Sequence, residues 1–206
     1  MRKVFFFLLV CLFALPLQAE RLLVVGDSLS AAYGLPVEQG WVHLLQSRLE
    51  EKGLGWQVIN ASISGDTSAG GLSRLPPLLA EHQPDVVIIA LGSNDGLRAL
   101  SLNSLHDNLA QMIQLSHTQG ALVVLPGMVI PPNYGPRYTD GFAAIYPTLR
   151  QHYQLAKAPI LLEQIALQPE LMLPDNLHPN AAGQQLILET LWPALRPLLL
   201  QERIDK

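Results

Sequence analysis

Ser28 is the first residue whose surroundings suggest chemistry. It follows a short apolar run in Gly26-Asp27-Ser28-Leu29-Ser30. A serine at a strand-to-helix turn projects from the rim of a sheet, near a helix N-terminus that favours developing negative charge. Gly26 allows a sharp turn there. Ser28 or Ser30 would serve equally as a helix N-cap, and G-x-S-x-G is absent because position 30 is Ser. Far along the chain, Asp175 and His178 stand three apart. Within one helical turn they would face the same way, the carboxylate holding one ring nitrogen while the other meets a hydroxyl. A loop with a capping Asp and a surface His has the same letters. The N–H groups of Ser28 and Gly65 and the neutral amide of Asn94 could hold a tetrahedral oxyanion, although Asn94 in Gly-Ser-Asn-Asp-Gly also suits a turn. Asp27, Asp66 and Asp95 read as turn and cap residues. A hydroxyl, an imidazole, a carboxylate and several donors are the inventory for acyl transfer. The other histidines, His43, His82, His106, His117 and His152, fall in helical stretches mostly away from these residues.

These groups meet only if the elements before them share a rim. Short apolar runs at Arg21–Val25, Trp56–Ile59, Asp85–Leu91, Ala121–Leu125 and Pro159–Leu162 read as five strands. Val86 to Ile89 is apolar on both faces, as a central parallel strand should be. Between them, Glu38–Lys52, Ala69–His82, Leu102–Gln119, Thr139–Leu155 and Asn180–Leu195 have helical spacing. Gly120 is a C-cap, Asn180 an N-cap, and Pro76-Pro77 must start, kink or break the second helix. Such alternation predicts a parallel five-stranded sheet between helices, a three-layer α/β/α sandwich. Ligands in open sheets sit at the carboxyl ends of strands, which is where Ser28, Gly65 and Asn94 fall. Two long irregular stretches, Pro126–Tyr138 and Glu163–Pro179, are expected to serve function.

The chain has 206 residues, 49% of them apolar, and a formal charge of −4. Its acidic balance argues against a nucleic-acid partner. Arg2 and Lys3 precede an unbroken apolar run from Val4 to Leu17, followed by Gln18-Ala19. This is the layout of a secretory signal peptide over 1–19, shorter than a membrane span. Leu17, three positions before the cut, is an unusual residue there. Cleavage leaves one domain at 20–206, of 187 residues and charge −6, in the periplasm or outside the cell. Cys11 leaves with the leader, so neither a disulfide nor a Cys nucleophile remains.

Four segments in this order and spacing resemble the blocks of the SGNH (GDSL) hydrolases: Gly26-Asp27-Ser28-Leu29-Ser30, Gly65 in Ser-Gly-Asp-Thr, Gly92-Ser93-Asn94-Asp95, and Asp175-Asn176-Leu177-His178-Pro179. They span about 150 residues. The stretches at 60–68, 94–98, from Pro131, and 144–147 are similar to a bacterial subgroup acting on aryl esters, acyl thioesters and lysophospholipids. Ser93 departs from that subgroup, which often has Gly there. The resemblance implies a flavodoxin-like fold with no metal and no organic cofactor. It implies Ser28 as nucleophile, His178 as general base and then acid, and Asp175 as its orienting carboxylate. It also implies Ser28 N–H, Gly65 N–H and the Asn94 amide as the oxyanion hole.

An acyl chain needs an apolar groove beside the serine. Leu29, Leu97 and Tyr134, with Leu100, Met128, Val129 and Ile130, lie on rim segments and could line one. Arg98 and Arg137 could meet an anionic head group. The expected partner is a small-molecule or lipid acyl ester bound by a monomer without a stable membrane span. A carbohydrate O-acetylesterase of the same superfamily and a non-catalytic periplasmic binding module are the alternatives. Chain-length preference separates the first, and absence of turnover the second.

Overall fold

The strands form where the apolar runs predict them. In the computed structural model, which describes residues 19–200, β1 (Glu20–Gly26), β2 (Trp56–Asn60), β3 (Val86–Ala90) and β4 (Leu122–Val124) make one parallel sheet in the order β2-β1-β3-β4. The expected leader lies outside the described residues except for Ala19. Leu22 to Val25 and Val86 to Ala90 are wholly buried, as central strands covered on both faces must be. Helix α1 (Trp41–Glu51) packs on α6 (Ala181–Leu199), while α4 (Leu102–Thr118) packs on α2 (Ser68–His82) and α5 (Pro136–His152). These groups make the two outer layers. The chain leaves β1 toward β2 on one side and reaches β3 on the other. That reversal opens a crevice at the carboxyl ends of β1 and β3.

Two expectations need correction and one is narrowed. The fifth strand does not form: Pro159–Leu162 contributes one isolated parallel bridge, Gly127 to Ile160. Gly127 N–H donates to Pro159 O and Leu161 N–H to Gly127 O, but Pro159 has no N–H to carry the ladder back toward β4, so the sheet has four strands. Pro76 and Pro77 neither start nor end α2, which runs through them to His82. Both prolines are exposed while Gly71, Leu75 and Leu79 are buried, so the carbonyls they leave unpaired fall on the solvent side. Gly-Ser-Asn-Asp-Gly, read as a loop, coils into the one-turn helix α3 (Ser93–Leu97). The expected caps hold. Gly120 takes φ +79 just past α4, and the Asn180 side chain accepts from Ala182 and Gly183 N–H.

Candidate active site

Ser28 stands at the carboxyl end of β1, but no α-helix starts there. The chain coils through 28–34 and reaches α1 only at Trp41. Asp27 shapes that coil. Its carbonyl accepts from Ser30 N (3.1 Å) and Ala31 N (3.0 Å), and its carboxylate accepts from Leu29 N (3.0 Å). Gly26 is required for space rather than for a left-handed turn. A Cβ there would lie 2.7 Å from Ser30 Oγ and 2.9 Å from Ser62 Oγ. Gln184 of α6 locks the coil from behind, donating to Leu29 O (3.2 Å) and accepting from Trp41 N (3.0 Å).

Asp175 and His178 meet through a side-chain-capped turn, not a helical one. Asp175 Oδ1 accepts from Leu177 N (2.9 Å) and His178 N (3.0 Å), with Asn176 left-handed at φ +53. Asp175 Oδ2 lies 2.7 Å from His178 Nδ1, and His178 Nε2 lies 2.9 Å from Ser28 Oγ, 150 residues away in sequence. An ionised Asp175 accepts from Nδ1–H, which leaves Nε2 as acceptor for the serine proton. Burial raises the Asp175 carboxyl, but hydrogen bonds from His178 and Leu177 outweigh it and hold the group down at about 2. Asp27 shows the opposite balance. Burial pushes its carboxyl up to about 6, against the lowering effects of Leu29 N–H, His178 and Asn94.

Around Ser28 the donors converge from three strand ends. Gly65 turns with φ +80, a left-handed conformation that favours glycine. Neither Ser28 N–H nor Gly65 N–H is bonded to an acceptor among the described residues. Asn94 Nδ2 donates to Asp66 O (2.9 Å) and, at a longer 3.3 Å, to Asp27 Oδ2.

A ring of residues unforeseen from the sequence holds these donors. Arg74 donates to Asp66 Oδ2 (2.7 Å), to Ala61 O and to Gly26 O (3.3 Å), tying the ends of β1 and β2 to the Gly65 loop. Asp95 is more than a turn residue: it is buried, and accepts from Ser68 N (2.8 Å) and Ser68 Oγ (2.6 Å). It thereby joins α3 to the start of α2. Arg74 carries no sequence signal, and Asp95 read only as a turn or cap residue, because their partners are assembled by the fold.

A cavity of about 690 Å³ opens beside Ser28, with Gly65, Asn94 and His178 at its polar end. Leu29 and Leu97 line it as expected, with Val129 and Ile130. Met172 and Leu177 complete it from the irregular stretch Glu163–Pro179, and Leu162 from the end of the segment expected to be the fifth strand. Tyr134 is a correction. It lines a separate, smaller hollow with Leu102, Arg137 and Tyr138, and its hydroxyl donates to Leu97 O (2.7 Å). Its ring is drawn there by the short 3-10 turn Pro132–Tyr134. Met128 is buried in the core and Leu100 is exposed outside the cavity. Arg98 donates to Gly65 O (2.9 Å), bracing that loop, and Arg137 belongs to the smaller hollow.

The model of the GDSL-like lipase/acylhydrolase family matches residues 24–186. "Esterase TesA" of Pseudomonas aeruginosa is 51% identical over 181 residues, 88% of this chain and 90% of that protein. "Thioesterase 1/protease 1/lysophospholipase L1" of Escherichia coli strain K12 is 40% identical over 94% of this chain and 92% of its own. The crystal structure of a protein named TesA superposes with a TM-score of 0.84 at 51% identity. The match covers 87% of this chain and 99% of that one.

Proposed function

We propose that this chain, which belongs to the GDSL-like lipase/acylhydrolase family, is a serine esterase that hydrolyses fatty acyl esters and thioesters through an acyl-serine at Ser28. One observation carries the reading. A continuous Ser28–His178–Asp175 relay, with contacts of 2.9 and 2.7 Å, stands at the mouth of an apolar cavity. His178 Nε2 takes the Ser28 proton as Oγ attacks the carbonyl carbon. The imidazolium so formed is held by Asp175 and returns the proton to the departing alcohol or thiol. Water, deprotonated by the same nitrogen, then cleaves the acyl-serine. The unbonded N–H groups of Ser28 and Gly65 and the amide of Asn94 receive the oxyanion. Asn94 gives up its longer contact to Asp27 to do so.

The cavity volume falls within the roughly 300–1,000 Å³ of small-ligand sites. Its long apolar wall suits a fatty acyl chain better than an acetyl group. All members of the relay and all three donors come from one chain, so a monomer is sufficient. Export follows from the leader motif at 1–19, and β1 starts at Glu20, directly after the expected cut. No helix among the described residues is long and apolar enough to cross a membrane. The test is turnover of p-nitrophenyl esters from two to sixteen carbons by the chain from residue 20 onward, beside Ser28→Ala. Activity that peaks at medium or long chains and disappears in Ser28→Ala is expected. A peak at the acetyl ester overturns the substrate class. Turnover that survives Ser28→Ala overturns the nucleophile.

A further inference from the structure

Tyr33 has no part in the relay, yet three features of the chain bring it there. Its ring lies on the His178 imidazole, with centroids 4.4 Å apart and planes inclined at 36°. Its N–H donates to the carbonyl of Ser28 itself (3.2 Å), which ties its backbone to the nucleophile's. The residue before it, Ala32, is left-handed at φ +56 although it is not glycine. Such a conformation is disfavoured for a residue with a Cβ and persists where surrounding structure enforces it. Here the enforcement is visible. Ala32 is buried, and a Cβ on Gly40 would come within 2.7 Å of the Ala32 Cβ, so only a glycine at 40 leaves room for it. The strained alanine reverses the chain and sends Tyr33 back over the site.

Packing does not explain the ring. Tyr33 is 49% exposed, and its hydroxyl makes no hydrogen bond among the described residues. The ring lines the edge of the cavity beside Ser28 and covers the imidazole, whose side chain is left only 13% exposed.

We infer that Tyr33 is a positioning residue for His178: its aromatic face fixes the plane of the imidazole so that Nε2 meets Ser28 Oγ, and it stabilises the imidazolium formed during acyl transfer. This rests on the proposed esterase reading. Rotation of the imidazole about its Cβ–Cγ bond would carry both ring nitrogens away from their partners, and a ring against its face resists that rotation. An aromatic face also attracts a cation. The positive charge on His178 exists only while the serine proton is held, so the interaction strengthens on approach to the transition state, which is the condition for accelerating the reaction. The ionisable groups around the imidazole are Asp175 on Nδ1, Asp27 behind the Ser28 coil, Ser28 on Nε2 and Tyr33 on its face, with Glu163 on the wall of the same cavity.

The test compares Tyr33→Phe, Tyr33→Leu and Tyr33→Met with the parent chain on p-nitrophenyl acetate, measuring kcat, KM and the acid limb of kcat/KM against pH. Leucine and methionine keep apolar cover over the imidazole and remove only the aromatic face. For both, kcat is expected to fall about threefold to thirtyfold, with KM within twofold. The acid limb should move about half a unit to lower pH. Phenylalanine should restore all three. A merely structural tyrosine would leave the acid limb in place. Parent-like kcat and acid limb in Tyr33→Leu and Tyr33→Met overturn the inference. So does Tyr33→Phe as impaired as Tyr33→Leu, which would assign the role to the hydroxyl, or an effect on KM alone, which would make Tyr33 a substrate contact. A parent chain without turnover on any p-nitrophenyl ester from two to sixteen carbons would instead overturn the esterase reading, so the two failures are distinct.

Discussion

Asn94 faces two kinds of acceptor, and this sets what its loss should cost. In the unliganded site its amide is held by Asp66 O and leans toward the Asp27 carboxylate. A substrate oxyanion offers a better acceptor than the 3.3 Å contact, so the gain appears only as charge develops. Asn94→Ala should therefore lower kcat by about 10²–10³ with KM little changed, equivalent to about 3–4 kcal/mol. Steady-state kinetics on one ester checks this, and a parent-like kcat would remove Asn94 from the hole. Asp175→Asn should act differently. An amide donating toward Nδ1 selects the tautomer whose proton faces Ser28, so kcat should fall by up to about 10⁴ while the fold persists. Kinetics and circular dichroism on the same preparation separate the two effects. From residue types alone, Ser28 could equally have capped a helix, Asn94 made a turn and His178 faced solvent; Ser28, Gly65, Asn94, Asp175 and His178 could be picked out because their four segments, in order, resemble the blocks of the SGNH hydrolases. Tyr33 and Arg74 could not. A tyrosine has no distinctive reading until the left-handed Ala32 turns it inward, and an arginine none until three loops surround it.

Elements decide how firmly those side chains are held. Arg74 projects from α2 and joins the end of β1, the end of β2 and Asp66, whose carbonyl in turn holds Asn94. Its side chain is 19% exposed and that of Asp66 12%, so truncation would leave Ala61 O and Asp66 Oδ2 without the arginine, while Gly26 O keeps Ile63 N–H and Asp66 Oδ1 keeps Thr67 N–H. Arg74→Met is expected to cost about 1–3 kcal/mol of stability and to lower kcat more than it alters KM, because the Gly65–Asn94 spacing loosens. Urea unfolding followed by kinetics tests both parts. An unchanged kcat in the folded variant would show that the loop holds its geometry without the arginine. The same scale explains where reading the sequence succeeded and failed. Strands β1 and β3 were legible because burial on both faces leaves uninterrupted apolar runs. The fifth strand was not excluded by its apolar letters, but Pro159 offers no N–H for the next rung of the ladder beyond the Gly127–Ile160 bridge. The helix at Ser93–Leu97 was hidden because its single turn is dictated by Gly92 at φ +118 and by the buried Asp95, not by any periodicity.

For the molecule as a whole, two carboxylates of the site pull acid stability in opposite directions. Asp175 is held down at about 2 against an ordinary 3.8. Its contribution is therefore complete above about pH 4 and is lost as pH falls toward 2. Its side chain is 39% exposed, so solvent screening keeps that contribution small. Asp27 is wholly buried and raised to about 6. The folded state then binds a proton that the unfolded state has released, so stability should decline as pH rises from about 4 to about 6. The size follows from the difference in proton affinity and is about 3 kcal/mol. At neutral pH the protein carries Asp27 ionised in its interior, beside His178 and Asn94, a cost to folding incurred at the active site. Urea unfolding midpoints between pH 2.5 and 7 should accordingly peak near pH 4 rather than rise to neutrality. In Asp27→Asn the decline above pH 4 should vanish. Its gain at pH 7 should be less than the full amount, because an amide has one oxygen where the carboxylate accepts from both Leu29 N–H and Asn94. Midpoints that still fall between pH 4 and 6 in Asp27→Asn would show that another group takes up the proton.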